Sequence, residues 1–451
     1  MMSLAEAAAV LGANVRGGGD VRFIGVSTDS RTLRRGELFV ALRGERFDGH
    51  GFLQNAAAAK AAAALVDSRH ASNLPLPAAV VEDTRLALGM LARHWRARFR
   101  PALIAVAGSN GKTTVKEMLA SILRSHAGDE AVLATAGNLN NDIGVPLTLL
   151  RMRQAHRWCA IELGMNHRGE IAYLANIARP SVAVVNNAQR EHLEFMNSVE
   201  EVAAENAAVY GALSADGVAV VNADDPHAEF FRNRAGARRT VDFGLDEPAQ
   251  VTARHAIGPF SSELWLRTPQ GEAQATLAIP GVHNVRNALA AAAAAHAAGI
   301  DLKDIAQGLA AFRPYTGRLQ VKQAHGGATL IDDTYNANPD SVRAAIDVLA
   351  SCPGPRVLVL GDMGEVGAQG ADFHREVGAY ARAKGIASLL ALGEATRDAV
   401  QAFGAGGRHF ESVEELVAQV SGSSILVKGS RFMKMERVVA ALTGTPAEGG
   451  H

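Results

Sequence analysis

The chain has 451 residues, 48% of them hydrophobic and 20% charged, with a formal net charge of −1. That balance excludes a disordered or fibrous chain and argues against a general binder of nucleic acid or membrane surfaces; the length predicts about three domains. Lysine supplies only eight of the 45 basic residues, so a lysine with a chemical task stands out.

The first ten residues carry Glu6 and no basic run, unlike a secretory signal. Strand-like runs at 21–26, 38–42 and 78–81, an Ala-rich helix at 55–64 and a charged helix at 86–99 fill a first part, 1–100, closed by Arg100-Pro101. A second part, 101–313, opens with the apolar run 102–107, which reads as a buried parallel strand. A glycine-containing loop and a helical pattern at 115–123 follow it. Further buried-strand runs at 158–161, 182–185 and 217–221 alternate with helices and predict a parallel α/β sheet. Residues 251–277 read as antiparallel strands and 284–298 as a helix. The third part, 314–451, repeats the alternation at 357–360, 389–392 and 425–427 and reads as a smaller, Rossmann-like doubly wound domain. Cys159 and Cys352 have neither CxxC nor zinc-ligand spacing and read as core residues of a reducing compartment. The longest apolar run, 288–295, falls far short of the ~20 residues that span a membrane, so no membrane association and a cytoplasmic address are expected.

The run Gly108-Ser109-Asn110-Gly111-Lys112-Thr113-Thr114 lies between a strand and a helix, the context a phosphate-binding loop requires. Its glycines let backbone N–H groups converge on phosphate oxygens, and the helix adds its N-terminal dipole. Lys112 is expected to reach the β- and γ-phosphates and Thr113 to offer its hydroxyl to Mg²⁺. Val106 stands where the strict pattern has glycine, so the loop is a shortened GxxGKT. It implies a nucleoside triphosphate and leaves the acceptor open. Glu162, at the carboxyl end of the 158–161 strand, is placed to hold Mg²⁺. His192, in the polar run after the 182–185 strand, is suited to a metal or a phosphate. Asn138, Asn140, Asn141 and Asp142 form a polar loop able to hydrogen-bond a substrate.

Taken together these segments resemble the Mur ligase family, the ATP-dependent amide-forming enzymes of peptidoglycan synthesis. The pieces, in the family's order, are Ser27-Thr28-Asp29-Ser30-Arg31 with 36–42, 108–114, 137–146, 162–170, 281–287, Gly317-Arg318-Leu319, 331–341, 361–364 and 428–437. The resemblance implies three domains: a UDP-sugar-binding domain, a central ATPase and a Rossmann-like domain that delivers the amine. It implies UDP contacts from Ser27, Asp29, Ser30 and Arg31, with Phe47-Asp48-Gly49-His50 just beyond. It places Asn287, Arg318 and Asp333 near the nucleotide, and Asn138, Asn141, Asn336, Ser430 and Arg431 near substrate. Lys428 is expected to face an acyl phosphate, with Glu162, His192 and Thr113 on the metal. The Asp-Asp-Thr-Tyr-Asn-Ala-Asn-Pro-Asp-Ser string and Gly-Asp-Met-Gly-Glu look like the branch that adds D-alanyl-D-alanine to a UDP-N-acetylmuramoyl-tripeptide. ATP and Mg²⁺ are the implied cofactors, and a monomer is the default.

The chain departs from the family in one respect. Many members carry a carbamylated lysine beside a second metal, but no lysine lies between Lys116 and Lys303. Asn206 aligns with the missing lysine, as a possible partner for a metal-bound water. Glu201 or Glu205 could supply the charge, or form a solvated helix face. Two rivals are a folylpolyglutamate synthase, disfavoured by the Ser27–Arg31 segment, and a catalytically idle nucleotide-binding module, disfavoured by the intact Gly-Lys-Thr with Glu162 and His192.

Overall fold

Apolar runs become buried strands, and the order in which those strands pair sets where the polar loops meet. The computed structural model describes residues 1–44 and 47–445 and contains three α/β domains. In the first, five strands pair in the order Asn14–Arg16, Ala78–Val81, Ala63–Asp67, Leu38–Val40 and Val26–Ser27, with only the Asn14–Arg16 edge antiparallel. The Ala-rich stretch is not one helix. The helix is confined to Leu53–Ala58, Lys60 takes a positive φ of 63°, and Ala63–Asp67 is a fully buried inner strand. Alanine's small side chain fits between two flanking strands, so tertiary packing overrides its helix propensity. The 21–26 run also splits: Arg22–Phe23 pairs with Met2–Ser3, while Val26–Ser27 joins the main sheet.

The central domain is a six-stranded, all-parallel sheet ordered Arg239–Phe243, Val218–Asn222, Val182–Val185, Ala102–Ala107, Trp158–Glu162, Val132–Ala134. Ala102–Ala107 lies in the middle, so the chain winds to one side and then the other. That makes its carboxyl end a switch point, the place where open α/β sheets bind ligands. The register puts Glu162 beside Val106 and Val185 beside Ala107, bracketing Gly108 from both sides. The edge strands Val132–Ala134 and Arg239–Phe243 escape the sequence reading because they are short or mixed in polarity. The antiparallel strands Thr252–Ile257, Ser262–Thr268 and Gly271–Leu277 form their own sheet. Helix Val282–Ala297 buries its alanines against the phosphate-loop helix Lys112–Ala127.

The third domain orders its strands Gln320–Gln323, Thr329–Asp333, Ser424–Lys428, Arg356–Gly361, Ser388–Leu392, Gly407–Phe410; all but the Gln320–Gln323 edge are parallel. Lys428 lies in register with Asp333, so both emerge at the sheet's carboxyl end. Cys159 and Cys352 are buried free thiols. Among the described residues no helix is long and apolar enough to cross a membrane.

Candidate active site

The phosphate loop is shaped by two left-handed glycines. Gly108 and Gly111 have φ of 132° and 82°. A Cβ at Gly111 would stand 2.2 Å from Asn287 Oδ1 and 2.9 Å from Asn186 Nδ2, so only glycine fits. Residues 186–192 grip the loop from the neighbouring strand. Asn187 Oδ1 accepts from Asn110 N (2.8 Å), Gln189 Oε1 accepts from Asn110 Nδ2 (2.6 Å), and Asn186 Nδ2 donates to Asn110 O (2.7 Å). Asn206 is fully buried and accepts from Gly108 N at 2.7 Å while donating to Val202 O at 3.0 Å.

Lys112 Nζ donates to Ser109 O (2.8 Å) and to both Glu191 oxygens (3.0 and 3.2 Å). Burial opposes the charge on Glu191, but Lys112 and His192 outweigh it and hold the carboxyl below its usual range. Glu162 Oε1 accepts from Thr113 Oγ1 (3.2 Å) and Asn140 Nδ2 (2.7 Å). Its Oε2 is buried with no partner among the described residues. An orphaned carboxylate oxygen beside a Ser/Thr-type hydroxyl suits a hard, oxygen-seeking cation, so these residues fit Mg²⁺. His192 adopts a positive φ of 52°, with Nε2 3.5 Å from Glu191 Oε1 and Nδ1 2.5 Å from Glu365 Oε2. Burial alone would discourage its protonation, yet Glu191 and Glu365 push its pKa up to about 9. The two carboxylates favour the charged ring, which must leave them to serve as a neutral metal ligand.

Two adjoining cavities share the loop. One, about 300 Å³, is lined by Ser109–Thr113, Asn138, Asn141, Glu162, His192 and Asn336 among others. The other, about 470 Å³, brings together Thr114, Asn287, Arg318, Asp333 and Lys428. Arg318 reaches both, its guanidinium 3.9 Å from the Tyr335 ring centroid and Nη2 3.5 Å from Thr113 Oγ1. Lys428 Nζ donates to Asp333 Oδ2 (2.6 Å) and Asn336 O (2.9 Å); burial lowers its proton affinity and Asp333 opposes that. His283, half-buried on the wall of the second cavity, is pushed down to about 4 by desolvation.

Other residues singled out by sequence lie apart. Ser430 Oγ accepts from Gly364 N (2.7 Å) and donates to Ala337 O (3.1 Å), which pins two loops together. Arg431 pairs with Glu436 at 3.0 Å. In the first domain, Ser27 Oγ donates to Asp29 O (3.1 Å), and Asp29 binds Arg31 Nε and Nη2 at 2.9 and 2.7 Å. Ser30 belongs to the same turn. Nearby, buried His50 bonds Asp48 through Nδ1 (2.6 Å), accepts from Asp67 N through Nε2 (3.0 Å) and stacks on His70.

The expectation for the missing-lysine helix needs correction. Asn206 spends both ends of its amide inside the protein, on Gly108 N and Val202 O. Glu205 is not on a solvated face: it is buried and accepts from Gly169 N and Ile171 N at 2.8 Å, capping the helix Glu170–Ala178. Glu201 pairs at the surface with Arg168 and Asn197. Sequence reasoning also passed over Glu191, Asn186, Asn187 and Gln189. Their signal was present in the polar run 186–192, from which only His192 was drawn.

A parallel-sheet phosphate cradle with a carboxylate orphan, faced by a buried lysine from a second α/β domain, defines a nucleotide-using ligase. Three family profiles match: "Mur ligase family, catalytic domain" over residues 22–96, "Mur ligase middle domain" over 106–295, and "Mur ligase, glutamate ligase domain" over 317–431. The chain belongs to the Mur ligase family. Within it, the chain is 42% identical to the UDP-N-acetylmuramoyl-tripeptide–D-alanyl-D-alanine ligase of Escherichia coli K12, covering 94% of this chain and 95% of that protein. A crystal structure of MurF from Acinetobacter baumannii superposes with a TM-score of 0.90 at 35% identity over 98% of both chains. MurF of Thermotoga maritima in complex with ADP gives 0.81 at 26% identity, covering 94% of this chain and 97% of that one.

Proposed function

We propose that this chain joins D-alanyl-D-alanine to UDP-N-acetylmuramoyl-tripeptide with ATP, through an acyl phosphate, releasing ADP and phosphate in a cytoplasmic step of peptidoglycan synthesis. The observation that carries it is the facing of Lys112, Thr113 and Glu162 on the central domain by Arg318, Asp333 and Lys428 around one pair of cavities. The likeness to relatives bearing that activity over nearly the whole length supports the substrate choice.

In the first step an oxygen of the tripeptide's terminal carboxylate attacks the γ-phosphorus, the bond to the β-phosphate bridging oxygen breaks, and ADP leaves. In the second the dipeptide amine attacks the acyl carbon, phosphate departs and the amine loses a proton. The protein positions and neutralises charge. Lys112 exchanges Glu191 for phosphate, and the N–H groups of 108–114 cradle the chain of phosphates. Thr113 and Glu162 would hold Mg²⁺, with His192 as a further ligand or phosphate contact; the ion supplies countercharge to the triphosphate. Asn287, Arg318 and Asp333 address the nucleotide, and Lys428 faces the acyl phosphate. Asn138, Asn141, Asn336, Ser430 and Arg431 serve the peptide ends. Ser27, Asp29, Ser30 and Arg31 serve the UDP end. The working division is 1–100, 101–313 and 314–451, in a monomer.

The test is incubation with UDP-N-acetylmuramoyl-tripeptides, ATP, Mg²⁺ and D-alanyl-D-alanine, read by product mass. A pentapeptide product dependent on all components supports the reading. ADP release without either peptide substrate, or addition of a single amino acid instead, refutes it.

A further inference from the structure

The run 186–192 sends consecutive side chains in opposite directions. Glu191 turns back to Lys112, whereas Arg190 leaves the central domain and enters the third. Its backbone N–H donates to Asp340 Oδ2 (3.1 Å) and its Nε to both Asp340 oxygens (3.1 and 3.2 Å). Nη2 donates to Asp340 Oδ1 (2.5 Å) and Glu376 Oε1 (3.1 Å), and Nη1 to Glu376 Oε2 (2.7 Å). The guanidinium lies 5.1 Å from the Phe373 ring centroid. All three charged side chains are mostly withdrawn from water, at 24%, 25% and 29% exposure.

The placement of Asp340 gives this contact its meaning. It is the second residue of helix Pro339–Ala350, whose N-cap Asn338 donates to Asn110 Oδ1 of the phosphate loop at 2.9 Å. Arg190 therefore holds the helix end that lays Asn338 on the loop. The same domain carries Asp333 and Lys428 to the nucleotide cavity. A planar fork serving two carboxylates at once is a task for arginine that lysine, a point charge, fulfils only in part.

We propose that Arg190 is a positioning residue that locks the third domain over the phosphate loop and so couples ATP consumption to amide formation. The proposal rests on the acyl-phosphate reading above. With the lock open, water reaches the intermediate. Its oxygen adds to the acyl carbon, the C–O bond to phosphate breaks, phosphate leaves and a proton passes to solvent. The starting carboxylate returns with ATP spent, so a loosened lock shows as ADP in excess of amide.

The experiment compares wild type with R190Q, R190K, E376Q and R190Q/E376Q. It measures ADP and amide in the same reactions, KM for each substrate, and the small-angle scattering radius of each protein. Wild type is expected to release one ADP per amide. R190Q is expected to raise the dipeptide KM by about fivefold or more, to release about two or more ADP per amide, and to leave the ATP KM within about twofold. R190K should fall between them, and E376Q should act in the same direction from the other side of the contact. The double variant should be no worse than R190Q, because the two residues share one interaction. The variants should scatter with a larger radius. One ADP per amide with an unchanged dipeptide KM in R190Q, or defects that add in the double variant, overturns the proposal. If wild type forms no amide, the functional reading fails instead. The lock is then judged by scattering alone, where equal radii for wild type and R190Q overturn it.

Discussion

Asn206 occupies the position that the resemblance aligns with a carbamylated lysine, and its replacement tests what it does here. Its Oδ1 is the acceptor for the Gly108 N–H at 2.7 Å, and the residue is fully buried. Asn206→Ala leaves that buried N–H without its protein acceptor. An unsatisfied buried donor costs about 1–3 kcal/mol. The cost falls on the loop that cradles phosphate. At about 1.4 kcal/mol per decade it weakens nucleotide binding by roughly 5- to 150-fold, or appears as lost stability if the loop stays in place. Asn206→Asp keeps the acceptor for the Gly108 N–H but sets a second buried oxygen against Val202 O, so it should recover the nucleotide affinity only in part. Calorimetric titration with ADP and thermal unfolding read both quantities. If Asn206→Ala matches wild type in both, the loop does not depend on this acceptor and the reasoning is wrong. Bicarbonate should change nothing in any of these proteins, because no lysine is present in this segment to carbamylate; a clear rescue by bicarbonate would contradict the account.

Lys112→Ala should abolish ADP release while leaving UDP-sugar binding nearly intact, since among the described residues Lys112 Nζ bonds Ser109 and Glu191 and no residue of the first domain; normal turnover in the variant refutes its role. Glu162→Ala should lower the rate and raise the Mg²⁺ concentration needed for half-maximal activity; an unchanged Mg²⁺ dependence refutes the cation site. Docking of the third domain should weaken at low pH. Glu376 is pulled from 4.5 down to about 2, chiefly by its hydrogen bond to Arg190, with Arg343 also in contact. A freed Glu376 keeps Arg343 and loses only Arg190, so it takes up its proton somewhat below 4.5 while the docked one stays ionised; the contribution is complete above about pH 5 and is lost as pH falls toward 2. The shift sets an upper limit of about 3 kcal/mol, and partial exposure reduces this to about 1–2 kcal/mol. Scattering from pH 7 to 3.5 should show the radius rise earlier in wild type than in E376Q; identical profiles refute it.

Local chemistry made part of this protein legible in one dimension. A buried run followed by Gly-Ser-Asn-Gly-Lys-Thr-Thr and a helix pattern states strand, phosphate loop and helix, because each is defined by neighbouring residues. The same holds for Glu162 and Lys428, which follow apolar strand runs directly. The 55–64 segment was misread because alanine suits either a helix or the interior of a sheet, and only the flanking strands decide.

The pairings that make the site were beyond the sequence. Gly108 with Asn206, Lys112 with Glu191 and Arg190 with Asp340 join residues 79 to 150 positions apart. Which partners meet is set by the strand order, which places Val182–Val185 and Trp158–Glu162 on either side of Ala102–Ala107 and turns both loops onto the phosphate cradle. Composition and motif thus determined a three-domain α/β protein with a phosphate loop and conspicuously few lysines. Tertiary structure alone decided that the position lacking a lysine holds the loop's backbone. It also decided that an unremarked arginine joins two domains, because hydrogen-bond satisfaction and domain contact are properties of spatial neighbours.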